Sequence, residues 1–158
     1  MTLLRPLTPA DRDQLLSVYE DAVRSQAPGL YDPRQIEAWA GHARRGPDLA
    51  AALLRGRGLV SCNALDPAVV EAFALLDPID RLSLLYCRGR SCRQGRAGAL
   101  LQALEPLARQ HGCRRLRTEA SQLSRPLLLR HNWQVEAEET VLYAGVPFVR
   151  WRMIKSLV

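Results

Sequence analysis

Four arginines and the glycines Gly95 and Gly98 lie close enough together in the stretch from Leu82 to Leu101 (LSLLYCRGRSCRQGRAGALL) to hold an anion. Arg88, Arg90, Arg93 and Arg96 share one turn, so a ligand there would carry more than one negative charge. Gly95 and Gly98 have no Cβ, which lets the backbone approach such a ligand closely. The order of residue types supplies further donors. An apolar run reads as a strand, the Arg/Gly/Ser segment as a turn, and the residues after it as a helix whose first N–H groups lack intrahelical partners. Those groups and the positive end of the helix dipole attract phosphate. Two other phosphate loops do not apply. A Walker A loop needs a Lys after its final Gly, and the one Lys of this chain is Lys155; a dinucleotide fingerprint needs three spaced glycines, of which Gly95 and Gly98 supply only the last two. The same residues also suit an ordinary strand-to-helix connection with solvated arginines, and the loop alone does not choose.

The elements that must position this loop are legible from spacing. Leu3 to Leu7 reads as a first strand, and Thr8-Pro9-Ala10-Asp11 as a helix start followed by the stripe Leu15, Tyr19, Ala22 and Val23. Asp32-Pro33 begins a second helix with Ile36, Trp39, Ala40 and Ala43, and Asp48 to Leu54 a short third. Leu59 to Asn63, Val69 to Leu76 and Arg81 to Cys87 form an antiparallel meander broken at Asp66-Pro67 and Asp77-Pro78. The helix from Gly95 to His111 buries Leu100, Leu101, Leu104, Leu107 and Ala108; Pro106 is expected to bend or interrupt it. Arg115 to Ala120 is a strand parallel to the one before that helix. A closing helix spans Ser121 to Trp133, and two strands, Gln134 to Tyr143 and Phe148 to Ser156, turn at Ala144-Gly145.

Composition bounds the class. The 158 residues suit a single domain over 1–158, with 47% hydrophobic and 24% charged residues as in soluble globular proteins. No apolar run approaches the roughly eighteen residues of a membrane span, and MTLLRPLTPADRD lacks the pattern of a signal peptide, so a cytoplasmic location and no membrane partner are expected. Cys62, Cys87, Cys92 and Cys113 form no C-x-x-C pair, which points to free thiols and no metal. The net charge of +6 comes with no aromatic platform or recognition helix, which argues against nucleic acid and leaves steering of an anionic ligand as its consequence.

The central segment resembles the acyl-CoA-binding segment of the GNAT superfamily of N-acetyltransferases. Leu85-Tyr86-Cys87 resembles its strand end, Cys92-Arg93-Gln94-Gly95-Arg96-Ala97 its loop, and Leu100-Leu101 its helical Leu pair, with Cys92 standing where Gln or Arg is usual. Ser121 to Trp133 resembles the closing helix, with Asn132-Trp133 in place of Gly-Phe; Leu30 to Ala40 and Tyr143 to Leu157 resemble segments of small bacterial members. The resemblance implies an α/β (α+β) fold: a mixed, mostly antiparallel central sheet of about six or seven strands flanked by about four helices. It further implies acetyl-CoA as co-substrate, held by Leu85, Tyr86, Cys87, Cys92, Arg93, Gln94, Gly95, Arg96, Ala97, Gly98 and Ser121. The oxyanion donor falls on the backbone around Leu85 to Cys87.

The reaction so implied moves an acetyl group from acetyl-CoA to a primary amine by direct attack, on a small-molecule or peptide acceptor, with a homodimer as an allowed assembly. Glu119 is the candidate base; Glu71, Asp77 and Asp80 are weaker ones. The family's usual tyrosine acid falls on Leu128, which cannot donate a proton, and His131 suits a surface or capping role. The resemblance places the acceptor near Tyr31, Trp39, Phe148 and Trp151. Three alternatives remain: an inactive acyl-CoA sensor, a basic nucleic-acid-binding protein, and an enzyme dependent on Cys87 or Cys92.

Overall fold

The computed structural model describes residues 3–158. Strand β1 (Leu3–Pro6) leads through a 3-10 turn at Pro9–Asp11 into helix α1 (Arg12–Gln26). Asp11 ties the two together: its buried carboxylate accepts from Arg5 at 2.8 and 2.9 Å and from the Thr8 N–H at 2.9 Å. The Arg5 guanidinium holds that carboxyl below its ordinary range. The stripe of α1 is buried as its spacing predicts, including Leu15, Tyr19, Ala22 and Val23.

Helices α2 (Pro33–Ala40), α3 (His42–Arg45) and α4 (Asp48–Arg55) follow. The second predicted helix is thus split at Gly41, and Ala43 belongs to the next turn. Asp32 caps α2 by accepting from the Gln35 N–H at 2.8 Å, while Gln35 Oε1 accepts from the Asp32 N–H at 3.0 Å.

Strands β2 (Arg57–Cys62), β3 (Val70–Leu76) and β4 (Arg81–Cys87) form the expected antiparallel meander. β3 is buried along its length because both faces are covered. Ala72, Ala74 and Leu76 pack toward helix α5 (Arg96–Gln110), and Phe73 packs with α1. α5 runs through Pro106 without interruption: Pro106 and Gln102, whose carbonyl loses its partner, both lie on the exposed face. Strand β5 (Arg115–Ala120), helix α6 (Arg125–Arg130) and the hairpin β6 (Gln134–Tyr143) and β7 (Val146–Ser156) complete the chain. The hairpin turns through Ala144 and Gly145, both at positive φ.

The seven-stranded sheet has the order β1-β2-β3-β4-β5-β7-β6 and is antiparallel except between β4 and β5. Six helices flank it among the described residues. α5 and α6 cover one face with Leu100, Leu104 and Leu128; α1, α2 and α4 cover the other. No helix among the described residues is long and apolar enough to cross a membrane.

Candidate active site

β4 and β5 pair only at Arg81 with Arg117 and Leu82 with Thr118, where Thr118 Oγ1 donates to the Leu82 carbonyl at 2.6 Å. Beyond that point β4 stays with β3 and β5 stays with β7, so the sheet opens like a wedge. A bulge starts the divergence: the register of β4 slips against β3 beside Ser83, whose hydroxyl donates to the Leu75 carbonyl at 3.2 Å. Past the bulge, the Arg88 N–H donates to the Glu71 carbonyl at 2.8 Å. Strand alternation then turns the N–H groups of Leu85 and Cys87 away from β3 and into the wedge. The wedge widens into a cavity of about 440 Å³.

That cavity brings together Leu85, Tyr86, Cys87, Ala97, Glu119, Ser121, Tyr31 and Trp39, eight of the residues singled out from sequence. Phe148 lines it too, but Trp151 does not; it lies under the Arg125 guanidinium, 4.5 Å from its ring centroid, packed on the α5 and α6 side. Trp151 lies three positions after Phe148 on the strand, an odd offset that puts the two on opposite faces.

The loop ahead of α5 departs from expectation in its arginines. Arg90 pairs with the buried Glu71 carboxylate at 2.6 Å, Arg88 donates to the Val70 carbonyl and to Ser17 Oγ, and Arg96 donates to Ser61 Oγ at 2.8 Å and the Cys62 carbonyl at 3.0 Å. Three of the four arginines therefore hold the ends of β2 and β3, whose buried acceptors require donors. Arg93 is exposed, as are Gln94 and Gly95. The backbone does the cradling. Among the described residues the N–H groups from Arg93 to Gly98 have no partner, and Arg93 (φ 61°) and Gly95 (φ 81°) adopt left-handed conformations that turn this run outward. A Cβ at Gly95 would meet nothing within 4 Å, whereas one at Gly98 would stand 3.0 Å from His131 Nε2. Gly95 thus opens the loop to a ligand, and Gly98 lets α5 approach His131. Cys92 donates its thiol to the Gly89 carbonyl at 3.0 Å.

The titratable groups sort themselves by partner. Glu119 Oε2 accepts from Arg81 Nε at 3.0 Å on the cavity wall. Arg90 and the Ser91 hydroxyl hold the Glu71 carboxyl down at about 2, so Glu71 is a structural anion and no base. Asp77 pairs with Arg55 and Asp80 with Arg117. Burial pushes the Tyr86 phenol up to about 12 while its oxygen accepts from Trp39 Nε1 at 3.2 Å. Burial likewise raises the Cys87 thiol to about 11. Leu128 is fully buried on the same wall. Ahead of it, α6 begins later than expected because Ser121 and Ser124 cap each other: Ser124 N–H donates to Ser121 Oγ and Ser121 N–H to Ser124 Oγ, both at 3.0 Å. Asn132 ends the segment at φ 68°, as its residue type predicts.

Gln26 and His42 escaped the sequence reading. Gln26 Nε2 donates to the Cys87 carbonyl at 2.7 Å, fixing the edge of β4; the signal was a polar residue in register with Tyr19 and Ala22 on an apolar helix face. His42 lines the cavity with its ring centroid 4.5 Å from that of Tyr143. Among the described residues no group of three or more His, Cys, Asp or Glu is arranged to hold a metal ion.

No family model matches the sequence. No curated protein matches it either. Solved structures do. A GCN5-related N-acetyltransferase from Rhodopseudomonas palustris shares 25% identity and a TM-score of 0.91, covering 99% of this chain and 96% of its own. PaiA N-acetyltransferase from Thermoplasma acidophilum, solved with coenzyme A, shares 17% identity over 99% of both chains with a TM-score of 0.75. YncA from Salmonella typhimurium, solved with acetyl-CoA, shares 20% identity, a TM-score of 0.64, and covers 100% of this chain and 95% of its own. The splayed β4 and β5, the open N-terminus of α5 between them and this shared architecture place the chain in the GNAT superfamily.

Proposed function

We propose that this protein transfers an acetyl group from acetyl-CoA to a primary amine by direct attack on the thioester. The observation that carries the reading is the unpartnered run of N–H groups from Arg93 to Gly98, opening beside a strand edge whose own N–H groups face the same wedge. Such a run suits a pyrophosphate, and the free edge of β4 suits an amide-bearing arm laid along it as an added strand. Acetyl-CoA carries both groups, and its thioester supplies an acyl carbon open to nucleophiles.

Each remaining role falls to a residue of the wedge. The backbone N–H of Leu85 or Cys87 donates to the carbonyl oxygen as negative charge builds there. Glu119 takes a proton from the acceptor's ammonium group, directly or through water, on the lone pairs that Arg81 leaves free, and the neutral amine so formed attacks the thioester carbon; Arg81 is a positioning residue. Leu128 offers no proton, and Ser121 and Ser124 line the same cavity. A thiol of ordinary acidity, with pKa about 8.5 as for cysteine, leaves near neutral pH at modest cost, so protonation by water suffices.

Thiol release from acetyl-CoA across a panel of primary amines tests the reading. Glu119→Gln is expected to lower kcat about 100-fold with the KM for acetyl-CoA unchanged, the size usual for a general base. An unchanged kcat would move the base elsewhere, and no release with any amine would favour the sensor alternative. Cys87→Ala and Cys92→Ala are each expected to keep activity within about twofold, because burial raises the Cys87 thiol to about 11 and the Cys92 thiol is engaged by the Gly89 carbonyl; loss of activity in either would revive a cysteine-dependent mechanism.

A further inference from the structure

We propose that the acceptor is a primary amine carried on a planar aromatic group, an arylalkylamine; this inference rests on the acyl-transfer reading above. All four tyrosines of the chain line the one cavity, together with Trp39 and Phe148. They form a continuous path of rings leading away from the β4 edge: Tyr86 to Trp39 at 6.4 Å between centroids, Trp39 to Phe148 at 6.3 Å, Phe148 to Tyr143 at 5.0 Å, and Tyr143 to His42 at 4.5 Å. Trp39 stands edge-on to Tyr31, Tyr86 and Phe148, at 65°, 64° and 75°. Rings held at such angles present both faces and edges, the two surfaces a flat aromatic guest packs against.

The charges on the wall argue the same way. Arg81 is paired with Glu119, Arg55 with Asp77 and Arg150 with Glu139, at 3.0, 2.8 and 2.8 Å. An acceptor bearing a carboxylate finds its arginines already neutralised. A polyamine finds one lining carboxylate without an ion pair among the described residues, Asp48, and would leave its other ammonium groups without a counter-charge. A single amine on an apolar body leaves no such group behind. At the His42 end Tyr143 stacks on the imidazole from β6 and Asp48 lies near it on α4, while burial and the neighbouring Arg45 lower the imidazole pKa, which disfavours a charge on His42 itself. The volume of about 440 Å³ belongs to small-molecule sites, and α1, α2 and the β6–β7 hairpin contribute its aromatic wall.

Calorimetric titration of the CoA-saturated protein with phenethylamine, n-butylamine and spermidine tests this. Saturable binding of phenethylamine at least about tenfold tighter than either other amine is expected, which is about 1.4 kcal/mol. Tyr143→Ala should weaken phenethylamine at least about fivefold while acetyl-CoA affinity and thermal stability hold, and Tyr143→Phe should restore it, since the ring does the packing. Spermidine or butylamine binding as tightly as phenethylamine, or an absence of saturable phenethylamine binding while CoA binds, would overturn the inference and leave acyl transfer standing. Failure of acetyl-CoA itself to bind would overturn both.

Discussion

Replacing Glu71 by alanine is expected to lower unfolding stability by about 2–3 kcal/mol at pH 7, on the scale of a broken buried ion pair reduced because one partner is exposed. Glu71 lies within the apolar run of β3 with its side chain 1% accessible, while Arg90 is 62% accessible and can return to water once released. The Ser91 hydroxyl, 2.6 Å from the carboxylate, cannot, and it remains buried without its acceptor. The pH dependence has a definite sign. The folded-state pKa is lowered to about 2 from the ordinary glutamate value of 4.5, so the carboxylate contributes its stability fully above about pH 4.5 and loses it as pH falls toward 2. Urea unfolding of wild type and Glu71→Ala should therefore diverge at pH 7 and converge as the solution is acidified toward pH 2. A difference that persists undiminished at low pH would assign the loss to packing instead. Because Arg88, Arg90 and Ser91 all reach Glu71 through backbone or side chain, the same variant should also raise the KM for acetyl-CoA about tenfold through the loosened approach to α5.

Gly95→Glu is expected to weaken acetyl-CoA binding at least 100-fold, about 2.7 kcal/mol. The substitution places a carboxylate beside the N–H run that would hold phosphate, and nothing within 4 Å of the new Cβ stops the chain from folding. Its backbone cost comes from the left-handed φ of 81°, roughly 1 kcal/mol for a residue with a Cβ. Gly95→Asn controls for that strain: Asn tolerates the conformation and adds no charge, so it should bind within a few-fold of wild type. Equal losses in both variants would attribute the effect to backbone geometry rather than to repulsion of an anion.

The strand, turn and helix order around Arg88 to Gly98 was legible because it depends on local spacing: an apolar run, glycine punctuation and an apolar helical stripe. The destinations of its arginines were not, since Glu71, Ser61 and the carbonyls of Val70 and Cys62 come from strands distant in sequence. A clue was present in the acid within the run VEAFALL, because a carboxylate in a doubly covered strand requires a cation. Trp151 shows a parity error of a different kind, as strand alternation from Phe148 already excluded it from the cavity. Gln26 was similarly hinted at by its place on the apolar face of α1. Glu119 and Tyr31 line the cavity, but the ion pair of Glu119 to Arg81 depends on where β4 and β5 meet, which no local pattern encodes.

Calorimetric titration of the wild-type protein with acetyl-CoA is the most direct test of the central claim. Saturable binding of one molecule per chain with a Kd in the micromolar range, lost in Gly95→Glu and kept in Gly95→Asn, is the expected result. No heat of binding up to high micromolar acetyl-CoA would contradict it, and would leave the open N-terminus of α5 an ordinary connection between strand and helix.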